Sequence, residues 1–254
     1  MAGTAVSNST YTTTGGNKTG NYLFPFILVT SLFFLWALIH NLSPVLIPHL
    51  KKACQLTDTQ SSFIDSSIFF AYFVMAMPAG YVMKKFGYKT GIIFGLLVYA
   101  VGAFLFIPAA NSGQYSFFLV ALFVIASGLT FLETAANPYV TILGKPETAT
   151  FRLNLAQSFN GVGAMLGPII GLKYILSGTE YTNEQIAAMS QAQLAAYQAS
   201  EASTVKMPYM VIGFVVLLVA VLFIITKMPD VKEQDNPEID ATGSKGGFSV
   251  TNTW

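Results

Sequence analysis

Few ionisable side chains interrupt the apolar stretches of this 254-residue sequence, and the exceptions could carry protons or bind a polar solute. Glu133 lies well inside one stretch. Thr130 and Asn137 share its helical face because they lie three residues before and four residues after it. A charge within the hydrocarbon costs roughly 2.5–3.5 kcal/mol, so such groups usually face an aqueous cavity. Glu133 is predicted to line an aqueous pocket; the alternative is a buried, protonated acid bonded to a neighbouring helix.

A second polar face is built from amides. Asn154, Gln157 and Asn160 lie on one side of a later apolar stretch if it is helical. Amides donate and accept hydrogen bonds without carrying charge, which suits a neutral ligand with many hydroxyl groups. The pattern predicts ligand binding by this face, with hydrogen bonding between helices as the alternative.

The same stretch carries glycines at every fourth position, at Gly163, Gly167 and Gly171. Small residues at this spacing form a ridge that lets another helix approach closely. We interpret the ridge as a packing surface and not as part of the binding site.

Two further ionisable residues have competing interpretations. Asp65 lies within a turn of the end of an apolar stretch, so it either faces a cavity or caps the helix at the interface. His40 could titrate near neutral pH, although a neutral, hydrogen-bonded imidazole is favoured. Pro44 and Pro48 leave backbone carbonyl groups free nearby, and interrupted spans of this kind often mark binding sites in transporters.

The sequence lacks the residue patterns typical of a membrane-embedded enzyme or a metal site. The apolar stretches contain no His-Glu-x-x-His pair, no P-loop and no serine–histidine–aspartate set. The two histidines, His40 and His49, and the single cysteine, Cys54, are too few for most metal sites. No catalytic residue, cofactor or metal is predicted, and a net charge of +1 without a basic run predicts no nucleic-acid partner.

The elements that must position these side chains are membrane-spanning helices. Hydrophobic residues make up 53% of the chain and charged residues 10%, whereas an average soluble domain is about 25% charged. A spanning helix needs about 20 mostly apolar residues. Six stretches qualify, at residues 22–50, 63–83, 91–110, 115–143, 153–176 and 207–226. The predicted fold class is therefore an all-α membrane protein with six transmembrane helices.

Lysines and arginines set the predicted orientation. Most of them fall on one side of the membrane if the spans alternate, so the positive-inside rule predicts that both termini are cytoplasmic. Residues 1–21 are predicted to be a disordered cytoplasmic tail, 22–227 a six-helix domain and 228–254 a cytoplasmic linker or tail. An external helical loop is expected at about 177–206, where Thr182 and Gln185 have the spacing of a capping box.

The short loop between the second and third spans resembles the cytoplasmic signature loop of the major facilitator superfamily. The residues of this loop that carry the resemblance are Gly80, Lys84, Lys85, Gly87 and Lys89. The superfamily usually has an acidic residue just before the first cation, where this chain has Met83.

Longer motifs resemble the fucose permease family of sugar–proton symporters over about residues 33–230. The most specific of them is Glu133–Thr–Ala–Ala–Asn137–Pro138. The others include Phe33–Phe–Leu–Trp36, Ile47–Pro–His–Leu–Lys51, Arg152–Leu–Asn154–Leu–Ala–Gln157–Ser–Phe–Asn160 and Pro208–Tyr209–Met210.

The resemblance implies a fold of twelve helices in two halves, of which these six spans would form the N-terminal half, built from two inverted three-helix repeats. It implies proton-coupled uptake of fucose or a related hexose across the cell inner membrane, together with a C-terminal six-helix half. Glu133 would be the coupling acid, because its protonation removes a buried charge and favours the occluded, moving state. The residues expected to bind the sugar are Asn41, Asn137, Gln157 and Asn160.

Two departures from the family leave alternatives open. An aspartate that the family has in its first helix falls on Pro44, which cannot carry a proton, and we hypothesise that Asp65 replaces it. The six spans are half of the expected twelve, so the chain is a truncated product, a fragment or a half that pairs with a partner. The alternative function is a half-transporter that binds sugar or regulates without transporting.

Overall fold

The computed structural model describes residues 22–176 and 181–228, and the regular structure in these ranges is helical. The predicted tails at 1–21 and 229–254 lie outside the described residues. The helices are α1 (Leu23–His40), α2 (Ser43–Ala53), α3 (Asp58–Phe86), α4 (Tyr88–Ser112), α5 (Tyr115–Ile142), α6 (Ala149–Tyr174), α7 (Asn183–Ala187), α8 (Gln191–Thr204) and α9 (Lys206–Ile225), with a 3-10 turn at Pro146–Thr148.

Six helical segments are long and apolar enough to cross a membrane, which confirms the predicted fold class. They are α1 continued by α2, then α3, α4, α5, α6, and α9 continued from α8. The helices extend beyond most of the predicted spans because their polar ends carry no hydrophobic signal; α3, for example, begins at Asp58 and ends at Phe86.

One pair of helix contacts fits two inverted repeats of three spans. In such an arrangement α1, α3 and α4 correspond to α5, α6 and α9. The contact of α1 with α6 then has its counterpart in the contact of α5 with α3, and both are extensive. Helix α4 packs against α5 and its own counterpart α9, so it joins the two repeats.

The glycine ridge of α6 is a packing surface, as predicted, and the structure places it against α1. A Cβ atom added to Gly163 would stand 2.5 Å from the carbonyl oxygen of Phe34, and one added to Gly167 would stand 2.7 Å from that of Leu38. Both distances are shorter than carbon–oxygen contact allows, so only glycine permits this separation of the two backbones. The ridge therefore fixes how closely the predicted amide face approaches α1.

The first span is interrupted, and the break lies just before the prolines that predicted it. Helix α1 ends at His40, α2 begins at Ser43, and Pro44 occupies the first turn of α2. Proline fits there because the backbone N–H groups of a first turn have no helical acceptor. Pro48 lies inside α2 without ending it, so the interruption is confined to Asn41 and Leu42, the two residues between α1 and α2.

Short helices occupy the connection that was predicted to be a helical loop. The capping box at Thr182 and Gln185 forms and begins α7, and a second box at Ser190 and Gln193 begins α8. Helix α8 is held against α2 by His49, whose Nε2 lies 2.9 Å from the carbonyl oxygen of Glu201 and whose Nδ1 lies 3.4 Å from its carboxyl group.

Candidate solute and proton site

Four of the six predicted proton and sugar residues line a single cavity between α1, α5 and α6. Glu133 and Asn137 enter it from α5, and Gln157 and Asn160 enter it from α6. The cavity has an empty volume of about 370 Å³, and its remaining lining consists of Leu32, Phe33, Trp36, Leu132 and Ala136. A carboxyl group and three amides thus face one apolar-walled space.

Hydrogen bonds orient two of the cavity amides. Asn137 donates from Nδ2 to the backbone carbonyl of Glu133 at 3.1 Å, which leaves its Oδ1 available as an acceptor. Gln157 donates from Nε2 to that Oδ1 at 3.2 Å. The bond joins α5 to α6 across the cavity, so the amides serve as interhelical contacts while they still present polar atoms to a ligand.

Aromatic side chains complete the cavity, and composition alone did not identify them as site residues. The indole Nε1 of Trp36 donates to the hydroxyl oxygen of Tyr72 at 2.7 Å, which links α1 to α3. Tryptophan presents a flat apolar face with a polar edge. Its partner lies 36 residues away in the chain, so no local pattern could reveal the pair.

Glu133 lies at the junction of two spaces. Besides the cavity just described, it lines an open groove of about 660 Å³ together with Thr130 and Asn137, the two residues on its predicted helical face. Tyr72 also lines this groove. The carboxyl group of Glu133 interacts with the Tyr72 hydroxyl and electrostatically with His40. Glu133 is thus a half-buried acid that borders both the cavity and the open groove.

The other two predicted residues lie elsewhere. Asn41 donates from Nδ2 to the carbonyl of Ala37 at 2.8 Å and packs against Gly167. Asp65 is exposed; it lies seven residues before Tyr72 on the same helical face, about 10 Å along α3. Neither side chain lines the two spaces around Glu133, and the roles assigned to them stay predictions.

The signature-loop residues surround a tight connection. Gly87 alone separates α3 from α4 and has a φ of 87°, a backbone conformation that favours glycine. Lys89 donates to the carbonyl of Thr226 at 2.9 Å, so the loop contacts the end of α9. Lys84 and Lys85 are exposed, Gly80 is half-buried, and Met83 is buried against Gly91.

The part of the chain that the structure describes contains no group of three or more His, Cys, Asp and Glu side chains that could hold a metal ion. The two histidines lie in different parts of the fold. His40 ends α1 beside the cavity, whereas His49 is buried between α2 and α8.

Comparisons with known proteins agree with this architecture. The sequence matches the Major Facilitator Superfamily over residues 26–252. It is 43% identical to the L-fucose-proton symporter of Escherichia coli over 99% of this chain and 57% of that protein. It is 45% identical to the glucose/galactose transporter of Brucella abortus over 90% of this chain and 52% of that protein.

Solved structures give the same result. The crystal structure of the major facilitator transporter FucP in its outward conformation superposes with a TM-score of 0.74 and 49% identity, covering 83% of this chain and 51% of that one. A second crystal structure, that of the E. coli fucose:proton symporter FucP, superposes with a TM-score of 0.75 and 45% sequence identity. These findings confirm the resemblance inferred from the motifs. The chain spans about half the length of the relatives it matches.

Proposed function

The chain belongs to the major facilitator superfamily, and from this we propose that it forms the N-terminal half of a proton-coupled sugar transporter. The proposed substrate is fucose or a related hexose, and the proposed partner is a C-terminal six-helix half. The observation that carries the proposal is the cavity in which Glu133 meets Asn137, Gln157 and Asn160. Relatives named as sugar–proton symporters and sugar transporters support it.

The cavity suits a neutral polyol. The side chains of Asn137, Gln157 and Asn160 supply donors and acceptors without a net charge. Trp36 supplies a flat apolar face against which the C–H face of a sugar ring packs. Recognition of this kind binds a hexose without attracting ions. The orientation of a single hydroxyl group separates one hexose from another, so these residue types leave the choice of hexose open.

Glu133 is the proposed coupling acid. When it is ionised, a half-buried charge opposes closure of the cavity, since desolvation penalises the charged form. Protonation removes that charge and favours the occluded state that moves the sugar. The sugar and the proton would therefore cross together, and acid outside the cell would drive uptake.

The proposed setting is the cell inner membrane, with both termini in the cytoplasm. The exposed cations of the loop between α3 and α4, Lys84 and Lys85, support this orientation under the positive-inside rule. Asp65 would then lie toward the outer end of α3, where a carboxyl group could receive a proton from outside. Replacing Asp65 with Asn should abolish proton-driven accumulation and spare passive exchange, and unchanged accumulation would refute a coupling role for Asp65.

The test of the proposal uses Glu133→Gln, which keeps the shape of the side chain and removes its proton exchange. We expect the variant to bind hexose and to lose the rise in liposome uptake that an inward proton gradient produces. Glu147→Gln is the matched control because Glu147 is exposed in the 3-10 turn, far from the cavity lining. If Glu133→Gln retained full pH dependence, Glu133 would not be the coupling acid.

The second candidate is a half-transporter that binds sugar or regulates but does not transport. The chain spans about half of its relatives, which is the observation that keeps this candidate open. Reconstitution into liposomes with and without a candidate C-terminal half distinguishes the two. Uptake that requires the second half supports the transporter; binding without uptake in both preparations supports the binding module.

A further inference from the structure

The Nδ1 atom of His40 is buried and has no hydrogen-bond partner among the described residues. Buried polar atoms are nearly always hydrogen-bonded, so each exception calls for an explanation. An imidazole nitrogen without a fixed partner can gain a proton and release it without breaking an existing bond. The Nδ1 atom of His49 also makes no hydrogen bond within the described ranges, but it lies 3.4 Å from the carboxyl group of Glu201.

The ring of His40 is held against the wall of the cavity. It stacks on the indole of Trp36 with 5.4 Å between ring centroids and 9° between ring planes. Trp36 lines the cavity with Glu133 and donates to Tyr72. His40 also lines a small neighbouring space together with Ser43 and other residues from α3, α5 and α9. The imidazole therefore borders both Trp36 in the cavity wall and this second space.

Ionisable groups from several helices surround His40 in the part of the chain that the structure describes. Glu133, from α5, interacts with it electrostatically. Tyr72, from α3, is joined to it through Trp36. Tyr209, from α9, lines the same space as His40. The other side chains that line this space from α3 and α5 are apolar, among them Ile68 and Leu129. A positive charge on the His40 ring would be attracted by the carboxylate of Glu133.

We infer that His40 is a second proton-binding group of the site and acts together with Glu133. A proton from water forms a bond to the lone pair of Nδ1, with the neutral ring carrying its hydrogen on Nε2. The ring becomes an imidazolium whose positive charge offsets the carboxylate, and release of the proton breaks the same N–H bond. One such group comes from α1 and one from α5, the corresponding first helices of the two repeats. The inference rests on the proposed proton-coupled function.

Trp36 supplies a direct readout of the protonation of His40. The chain has two tryptophans, so in the Trp254→Phe variant all tryptophan fluorescence comes from Trp36. An imidazolium stacked on an indole quenches its fluorescence, whereas neutral imidazole does so weakly. We expect Trp36 emission from the purified 254-residue chain to fall as the pH is lowered from 8 to 5. Emission that does not change between pH 8 and pH 5 would overturn the inference.

Variants assign this response to one residue. His40→Asn should abolish the pH-dependent quenching, and His40→Gln provides a second form of the test if the first variant folds poorly. His49→Gln is the matched control because His49 is the only other histidine, and it should leave the response intact. The response should persist in Glu133→Gln but require a lower pH, because the carboxylate that attracts the imidazolium is absent. Quenching that survives both His40 variants, or that disappears in Glu133→Gln but not in His40→Asn, would contradict the inference.

A transport measurement separates this inference from the proposed function. In the chain assembled with its C-terminal half, His40→Asn should bind hexose at neutral pH and show a lower ratio of uptake at acidic pH to uptake at neutral pH. Absence of hexose binding by the unmodified protein would count against the transporter. Normal uptake by unmodified protein and an unchanged ratio in His40→Asn would count against His40 alone.

Discussion

At the scale of single residues, Arg152 shows how a buried cation can be satisfied without a carboxylate. Its Nε donates to the carbonyl of Val140 at 3.2 Å, and its terminal nitrogens donate to the carbonyls of Thr141 and Lys145 at 2.6 and 2.9 Å. Thr148 accepts a further bond. The last carbonyl groups of a helix have no helical donors, so Arg152 at the start of α6 caps the end of α5.

Replacing this arginine tests the cap. Arg152→Lys keeps the charge but loses the planar fork of donors, and we expect a loss of about 2 kcal/mol, since hydrogen bonds from charged groups contribute about 1.5–3 kcal/mol each. A lower midpoint of thermal unfolding in detergent would measure it. Lys145→Ala removes a nearby exposed cation yet keeps the carbonyl that Arg152 uses, so it should have little effect. Equal losses in the two variants would mean that the fork of donors on Arg152 is not what stabilises this end of α5.

Sequence patterns predicted the polar residues of the cavity and missed the aromatic ones, for a physical reason. Glu133, Asn137, Gln157 and Asn160 stand out because a polar side chain on an apolar helix must face something other than lipid. Trp36 belongs in an apolar helix in any case, and only the fold reveals its bond to Tyr72. How each side chain is hydrogen-bonded also depends on the folded backbone. Asn41, for example, donates to a carbonyl of its own helix.

At the scale of helices, the contact between α1 and α6 sets the width of the cavity. Trp36 on α1 faces Gln157 and Asn160 on α6 across the cavity. The glycine ridge of α6 lies beside these residues, where α6 contacts α1. Small residues drive such contacts in membranes because lipid provides no hydrophobic force between helices, so close packing has to do so. A change in the ridge should therefore reach the site without touching a polar group.

Gly163→Ala is the substitution that tests this contact. Its methyl group would stand 2.5 Å from the carbonyl of Phe34, so the helices must separate, and we expect a loss of stability of about 1–3 kcal/mol with weaker hexose binding. Gly161→Ala is the matched control on the same helix, since nothing lies within 4 Å of its added carbon. Thermal unfolding and ligand titration measure both variants. Similar losses in the two would show that backbone freedom, not close approach, accounts for the effect.

The helices themselves were more predictable than their junctions. Spans can be predicted from the sequence because each needs about 20 apolar residues. The capping box of Thr182 and Gln185 could be predicted because its two residues are only three positions apart in the chain. The exact break in the first span could not be read from Pro44 and Pro48 alone. Both are compatible with α2, one because it occupies the first turn and the other because a proline inside a helix can be accommodated. The contact of His49 with Glu201 joins residues 152 apart in the chain, so it required the fold.

At the scale of the whole molecule, α3 and α6 differ from the other spans. Only 22% of the most apolar stretch in each is buried, against 61% in α5. These two helices flank the spaces around Glu133, and each carries polar as well as apolar exposed side chains. On α6, Ser158 and Met165 lie seven residues apart on one exposed stripe. A mixed surface next to an open cavity suits a second bundle better than lipid alone, because lipid offers no partner for polar groups.

The proposed C-terminal half should therefore cover α6 and leave α9 in contact with lipid. Nitroxide labels placed by Met165→Cys on α6 and Leu218→Cys on α9, each in a Cys54→Ser background, report collisions with membrane-dissolved oxygen. Both positions are about 60% exposed in the six-helix unit, at 62% and 59%, so the labels begin from similar environments. Adding the second half should reduce oxygen access at position 165 and not at position 218. Equal protection of the two positions, or protection of position 218 alone, would place the partner on a different face, and the cavity around Glu133 would then open to lipid instead of to a second bundle.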